Sequence, residues 1–165
     1  MLFPGIVTTD PSSVPGPVPP YSLAFTLEPQ VQNALNLFLP LKNRVQMPAL
    51  LKLLAETQTE VHEALKSLHY VHFARFLPST DGSVLMVITE YDGGLESYIM
   101  DFVAVLGETF TAVLQFIADA PPLPVQSHAR EFTKFIMEHD LRQVGVWSAY
   151  PEITVIDILR GARHL

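Results

Sequence analysis

One stretch of the chain, residues 69 to 94, concentrates side chains that can carry chemistry within apolar sequence. His72 is the strongest candidate, because imidazole is the side chain best suited to move a proton at neutral pH. Tyr91 and Asp101 carry the hydroxyl and carboxyl groups that would assist it. We therefore predict His72, Tyr91 and Asp101 as the catalytic set. The alternative is that His72 is a structural histidine, hydrogen-bonded inside a dimer interface.

Further polar and aromatic residues are predicted to contact a bound molecule. Arg75 lies in an apolar run, where an unpaired charge is costly, so it requires an anionic ligand or one of the carboxylates of Glu90, Asp92 and Asp101. A lone tryptophan in a strand either lines a cavity or belongs to the core. The predicted substrate-binding residues are Asn36, Tyr70, Arg75, Thr89, Tyr98 and Trp147.

Two histidines in this stretch raise the question of a metal or haem. His69 and His72 are three residues apart, which puts them on opposite faces of a strand, so no shared metal is predicted. A haem iron needs only one axial nitrogen and a large apolar slot. His69 is the candidate for that role, and haem is the alternative to having no cofactor.

The same stretch predicts a β-hairpin. Two runs rich in β-branched and aromatic residues flank the turn sequence from Pro78 to Gly82. A turn centred between Thr80 and Asp81 sets His72 opposite Thr89. One face, directed at the helices, would then carry Val71, Phe73, Met86 and Ile88, and the other Tyr70, His72, Ala74, Thr89 and Tyr91. Because side chains alternate, Arg75 is expected on the face opposite His72.

Periodicity places the other elements. Asn33 to Leu39 and Val144 to Tyr150 read as strands, and apolar spacings of three and four predict long helices over 47–68 and 95–117. A third helix follows Ser127, and Thr154 with Asp157 forms a capping box for a short last helix, 155–160. Without the small third helix the order is βαββαβ. This predicts an α+β, ferredoxin-like antiparallel sheet with helices on one face.

Length and composition limit the organisation and the partners. A chain of 165 residues with 48% hydrophobic content suits one core. Six of the 14 prolines fall in the first twenty residues, so residues 1–30 are predicted as a Pro-rich mobile arm and 31–165 as the domain. A net charge of −7 disfavours nucleic acid and anionic membranes as partners. The absence of cysteine and of an early basic segment favours a cytoplasmic location.

Several segments together resemble the dimeric α+β barrel superfamily. They are Leu35 to Pro40, His69 to Leu77, the strand end at Glu90 to Gly93, Pro121 to Pro124 and Trp147 to Pro151. Within it, the chain is similar to ferredoxin-like modules distantly related to dye-decolourising peroxidases. Those peroxidases use a Gly-x-x-Asp-Gly motif, of which only Ser79-Thr-Asp-Gly82 is present here, so peroxidase activity is not implied. The resemblance implies a homodimer formed through open sheet faces, with a ligand cavity.

Three functions follow as expectations. The first is a small dimeric protein that binds an apolar small molecule and transforms it without a metal, as the superfamily's cofactor-free oxygenases, cyclases and isomerases do. The second is a haem-binding, peroxidase-like protein. The third is a non-catalytic interaction module. The composition and motifs leave open whether the chain is an enzyme.

Overall fold

The protein is α+β, with a small antiparallel sheet at its centre. We describe it from a computed structural model, for residues 31–141, 143 and 145–163; the predicted arm, residues 1–30, lies outside these. The sheet has three strands, β1 (Gln32–Pro40), β2 (Val71–Pro78) and β3 (Val84–Asp92). Their order is β1-β3-β2, so β3 is the central strand and is paired on both edges.

The hairpin between β2 and β3 forms where the turn composition predicts it. Gly82 has a φ of +72°, a conformation that glycine adopts without steric cost. Its N–H donates to the Ser79 carbonyl, and the Asp81 carboxylate accepts from the hydroxyls of Ser79 and Ser83. The register, however, is two residues away from the predicted one: Ala74, not His72, lies opposite Thr89.

The described part of the chain also forms five α-helices. They are α1 (Met47–Glu56), α2 (Gln58–Leu68), α3 (Leu95–Leu114), α4 (Ala129–His139) and α5 (Val155–Ala162), with short 3-10 turns at Arg44–Gln46 and Val125–Ser127. The helix predicted over 47–68 is interrupted at Thr57, whose hydroxyl donates back to the Leu53 carbonyl. Such bonding bends helices and explains the break between α1 and α2.

The core lies between one face of the sheet and the helices. Leu35, Leu37 and Leu39 of β1 alternate into it, as predicted. Helix α3 packs against α1, α2 and α4. It is the one described helix that is long and apolar enough to cross a membrane, yet half of that apolar window is buried inside the domain, as expected of a core helix. The side chains contributed by α3 and α4 include Ile99, Phe102, Leu106, Phe132, Phe135 and Ile136.

The faces of the hairpin are the reverse of those predicted. Val87, Thr89 and Tyr91 of β3 are buried on the helix side. Ala74 and Phe76 of β2 lie opposite Thr89 and Val87 and therefore share that side. The open face instead carries Phe73, Arg75, Leu77, Met86, Ile88 and Glu90, together with Phe38 of β1. Phe38, Phe73 and Leu77 are exposed there, so the sheet presents apolar surface on the side away from the core.

The predicted fourth strand, Val144 to Tyr150, is not formed. Residues 145–150 have no strand structure, and Val144 itself lies outside the described residues. The edge of β1 is instead bordered by Asp140 and Leu141: the Leu141 N–H donates to the Asn36 carbonyl, and the Asp140 carboxylate accepts from the Asn36 N–H. At the start of β1, the Pro151 carbonyl accepts a hydrogen bond from the Val31 N–H. The βαββαβ order is thus only partly present in the described residues.

The last helix begins as the sequence predicts. The Thr154 hydroxyl accepts from the Asp157 N–H, while the Asp157 carboxylate accepts from the Thr154 N–H. This reciprocal capping box, whose hydrogen bonds lower the pKa of the Asp157 carboxyl, fixes the start of α5 at Val155. The first turn of α5 thereby reaches the end of β3, where the candidate site lies.

Candidate functional site

A histidine and an aspartate form the centre of the site. His72 Nε2 and Asp92 Oδ1 are 2.7 Å apart, and their side chains are only 6% and 10% exposed. An ionised carboxylate only accepts hydrogen bonds, so the Nε2–H of His72 donates to it, and in the neutral imidazole Nδ1 then keeps its lone pair. Nδ1 has no hydrogen-bond partner among the described residues. The pair therefore presents a basic nitrogen held in a fixed orientation.

Asp92 also links the site to α5. Val155 is the first residue of that helix, and its N–H donates a hydrogen bond to the second carboxylate oxygen, Oδ2, at 2.8 Å. The N-terminus of a helix carries partial positive charge and unpaired N–H groups, which favour an anion. Both oxygens of this carboxylate are thus engaged, one by the imidazole and one by the helix. A carboxylate that orients an imidazole in this way is the arrangement used in general acid-base catalysis.

A β-bulge brings His72 to its position. The pairing of β2 with β3 shifts between Val71 and Phe73, so His72 lies outside the regular alternation. As a result His72 and Arg75 both line one cleft, although three residues apart in a regular strand would put them on opposite faces. The expectation that Arg75 faces the helices is therefore wrong, because the faces of the hairpin are reversed, and the bulge brings His72 to the same cleft.

The cleft that His72 and Arg75 share lies between the open face of the sheet and residues 146–150, and we call it the tryptophan cleft. Its volume is about 510 Å³, within the range of small-molecule sites. Phe73 and Trp147, which are 59% and 73% exposed, supply aromatic surface. Its other lining residues are Gln32, Glu90, Val146, Ser148, Ala149 and Tyr150.

Arg75 forms an ion pair with Glu90 in the wall of this cleft. The Nη2 to Oε1 distance is 2.6 Å, and the side chains are 53% and 27% exposed. The other oxygen, Glu90 Oε2, is buried without a hydrogen-bond partner, the one such side-chain atom among the described residues. Because an unsatisfied buried acceptor is costly, this oxygen can accept a hydrogen bond from a water or from a bound molecule.

A second cleft adjoins His72 on its other side. It has a volume of about 490 Å³ and is lined by α2, the start of β2 and α5; we call it the basic cleft. His69, the predicted haem ligand, lines it from the end of α2, where it is exposed and has a φ of +56°. Lys66 and Arg163 also line this cleft. Haem ligation by His69 stays a prediction.

Tyr91 does not meet His72. Tyr91 is buried on the helix side and stacks on Tyr98, with ring centroids 4.0 Å apart. The hydroxyl of Tyr98 is hydrogen-bonded to that of Thr89. Burial raises the pKa of both phenols above the usual value of 10, so they remain neutral near pH 7. Thr89, Tyr91 and Tyr98 thus form a structural group in the core and not part of the candidate site.

Asp101 is also separate from His72. It accepts a hydrogen bond from the Tyr70 hydroxyl at 2.9 Å, between α3 and the loop before β2. Burial, and next this hydrogen bond, raise the pKa of Tyr70 well above its usual value of 10. The Tyr70 phenol therefore donates to a carboxylate, and the pair links two elements on the helix side of the sheet.

Asn36 lies away from the histidine, at the outer edge of β1. Its side-chain amide donates to Gln143 at 3.0 Å, which bridges the strand to the segment after α4. Of the residues predicted to bind substrate, only Arg75 and Trp147 join His72 at one cleft. Asp92 and Glu90 were considered from the sequence only as partners of Arg75. Asp92 ends the strand that is predicted to pair with the strand of His72. This is the sequence signal that could have identified Asp92 as the partner of His72.

The space between the sheet and the helices is too small for a ligand. A void of about 40 Å³ remains there, lined mainly by apolar side chains such as Leu37, Phe102 and Phe132. Ligand pockets are typically several hundred Å³. Within the described residues no three His, Asp or Glu side chains come close enough to hold a metal ion. The two surface clefts beside His72 are consequently the candidate binding sites.

Comparison with known proteins gives no relative to guide the assignment. The chain matches no protein-family model, no curated protein and no solved structure.

Proposed function

We propose that the protein binds an apolar aromatic molecule bearing an acidic hydroxyl in the tryptophan cleft, and that His72 accepts its proton. The observation that carries this proposal is the His72–Asp92 pair, whose carboxylate is also held by the Val155 N–H. Phe73 and Trp147 provide aromatic surface next to it. Aromatic side chains contribute most of the contact area in such sites, and a few polar groups fix orientation.

The groups present suit proton transfer in particular. With Nε2–H bonded to Asp92, the lone pair of Nδ1 can accept a proton, and the carboxylate stabilises the imidazolium that forms. Isomerisation needs no more than this, since a proton is removed from one position and returned to another. Oxygenation or cyclisation would begin with the same proton removal. The positive charge of Arg75 in the cleft wall stabilises the anion that the ligand becomes when it loses the proton.

Trp147 permits a direct test of binding, because it is the only tryptophan of the chain. We expect 4-nitrophenol, a quenching aromatic phenol, to reduce its fluorescence in a saturable titration. Phe73→Ala should weaken the binding about tenfold through loss of aromatic contact. Met137→Ala, which changes an exposed apolar residue on α4 outside the lining of this cleft, is the control and should leave the binding unchanged. Non-saturating quenching, equal in all three proteins, would contradict the proposal.

A homodimer of the dimeric α+β barrel type is part of the proposal. Helices α1 to α4 enclose the core with one face of the sheet, while Phe38 and Leu77 are exposed on the other face, beside Met86 and Ile88. Monomers rarely expose connected apolar surface of this kind, and a two-fold axis lets the same face cover itself. The ferredoxin-like sheet order belongs to the same proposal, and the isolated bridge between Leu37 and Asp140 supports it, because it places a segment of the chain along β1.

Light scattering tests the dimer. The chain has a mass of 18.4 kDa, so the proposal predicts a species of twice that mass at micromolar concentration. Phe38→Glu should shift it to the monomer, because a carboxylate would be buried against apolar surface. Val45→Glu, an exposed residue on the 3-10 turn before α1, is the control. A monomeric wild-type protein would contradict this part of the proposal.

A further inference from the structure

The basic cleft is built from one stripe on each of two helices. On α2 and its C-cap the lining residues are His62, Leu65, Lys66 and His69, at spacings of three and four. On α5 and its C-cap they are Val155, Leu159 and Arg163, each four residues apart. Residues so spaced share one helix face. The two helices therefore turn matched faces toward the same space, with the start of β2 between them.

The charge of this cleft is opposite to that of the chain. The chain has 17 acidic residues and a net charge of −7, yet the cleft lining contains His62, Lys66, His69, His72 and Arg163 and no Asp or Glu. Two of these are already compensated, since Lys66 pairs with Glu63 and His72 with Asp92. Arg163 has no ion pair among the described residues. One guanidinium is thus available, with His62 and His69 as additional donors.

The remainder of the lining is apolar. Leu65, Val71, Phe73, Ala74, Val155 and Leu159 provide a hydrocarbon floor. A guanidinium at the rim of such a floor suits a carboxylate attached to an apolar body, since its paired N–H donors match the two carboxylate oxygens. One free guanidinium matches one negative charge, whereas the net charge of −7 on the chain disfavours a multiply charged phosphate.

We infer that the basic cleft binds an apolar carboxylic acid, with the carboxylate at Arg163 and the body against Leu159 and Phe73. This site is distinct from the tryptophan cleft, although the two share His72 and Phe73. The inference stands without the proposed function, because it assigns no role to Trp147 or to proton transfer.

Calorimetric titration with 2-naphthoate and with its neutral isostere 2-naphthamide tests the inference. We expect naphthoate to bind about tenfold more tightly than naphthamide, as expected for a charge-assisted hydrogen bond. Arg163→Gln should abolish this preference while leaving naphthamide binding unchanged. Lys134→Gln, an equally cationic and exposed position on α4, is the control and should retain it. Circular dichroism of both variants confirms the helical content.

Three results would overturn the inference. Equal binding of acid and amide would show that no charge is recognised. A preference that survives Arg163→Gln would place the carboxylate elsewhere. Displacement of naphthoate by inorganic phosphate at equal concentration would show a general anion site and not one for apolar acids. None of these results touches the fluorescence titration with 4-nitrophenol, so failure here and failure of the proposed function can be told apart.

Discussion

His72 and Arg75 line the same cleft although they are three residues apart in one strand. The β-bulge at the start of β2 cancels one step of the alternation, and this single irregularity places a histidine paired to Asp92 beside an arginine paired to Glu90. Bulges commonly re-aim a side chain next to a functional site. The predictions below test the groups that this arrangement connects.

Asp92→Ala should destabilise the protein by about 2 to 4 kcal/mol, because both His72 and the first N–H of α5 lose their acceptor in a poorly exposed place. Urea unfolding measures this change. Glu138→Gln, in an exposed pair on α4, is the control and should change stability by less than about 0.5 kcal/mol. Equal effects of the two substitutions would mean that the link to α5 adds nothing.

Arg75→Met should cost less than about 1 kcal/mol of stability, because the guanidinium is half exposed and solvent screens the pair. Binding of the 4-nitrophenolate anion should weaken about fivefold, the equivalent of about 1 kcal/mol. Thermal unfolding and the fluorescence titration measure the two effects. A large loss of stability with unchanged binding would assign Arg75 a structural role only.

Tyr98→Phe should cost about 1 to 2 kcal/mol, since the buried Thr89 hydroxyl loses its partner. Adding Thr89→Val removes the second hydroxyl with little change of shape. The double variant should therefore be less destabilised than the sum of the two single variants. Additive losses in a double-mutant cycle would show that the two hydroxyls do not interact.

The turn provides a pH-dependent contribution. Hydrogen bonds from Ser79, and next from Ser83, lower the pKa of Asp81 from 3.8 to about 2. A depressed folded-state pKa stabilises the fold above the unfolded value, and this contribution is lost as pH falls toward 2. Above pH 3.8, the urea concentration at the unfolding midpoint should therefore be higher for the wild-type protein than for Asp81→Asn. This difference should shrink as the pH falls. A difference that grows on acidification would contradict this sign.

Much of the secondary structure could be predicted because periodicity and caps are local signals. The capping box at Thr154 and the turn with Gly82 at positive φ appear where the sequence indicates. The alternation of Leu35, Leu37 and Leu39 also identified the core face of β1. Each of these features depends on residues close in sequence.

The faces of the hairpin could not be predicted because β3 is apolar on both of them. Met86 and Ile88 alternate with Leu85 and Val87, so hydrophobicity alone does not select a side. The bulge that moves His72 has no signature in composition. Likewise the bond from Asp92 to Val155 joins residues 63 apart, a contact that only the folded chain reveals.

The ionisation state of bound 4-nitrophenol tests the role of His72 most directly. The phenolate absorbs visible light and the phenol does not, so absorbance reports proton transfer at a pH where free 4-nitrophenol is mostly protonated. Wild-type protein should raise the phenolate fraction as binding saturates. His72→Gln should still quench Trp147 on binding but produce no added phenolate. Equal phenolate in both proteins, or none in the wild type despite saturated binding, would contradict proton acceptance by His72.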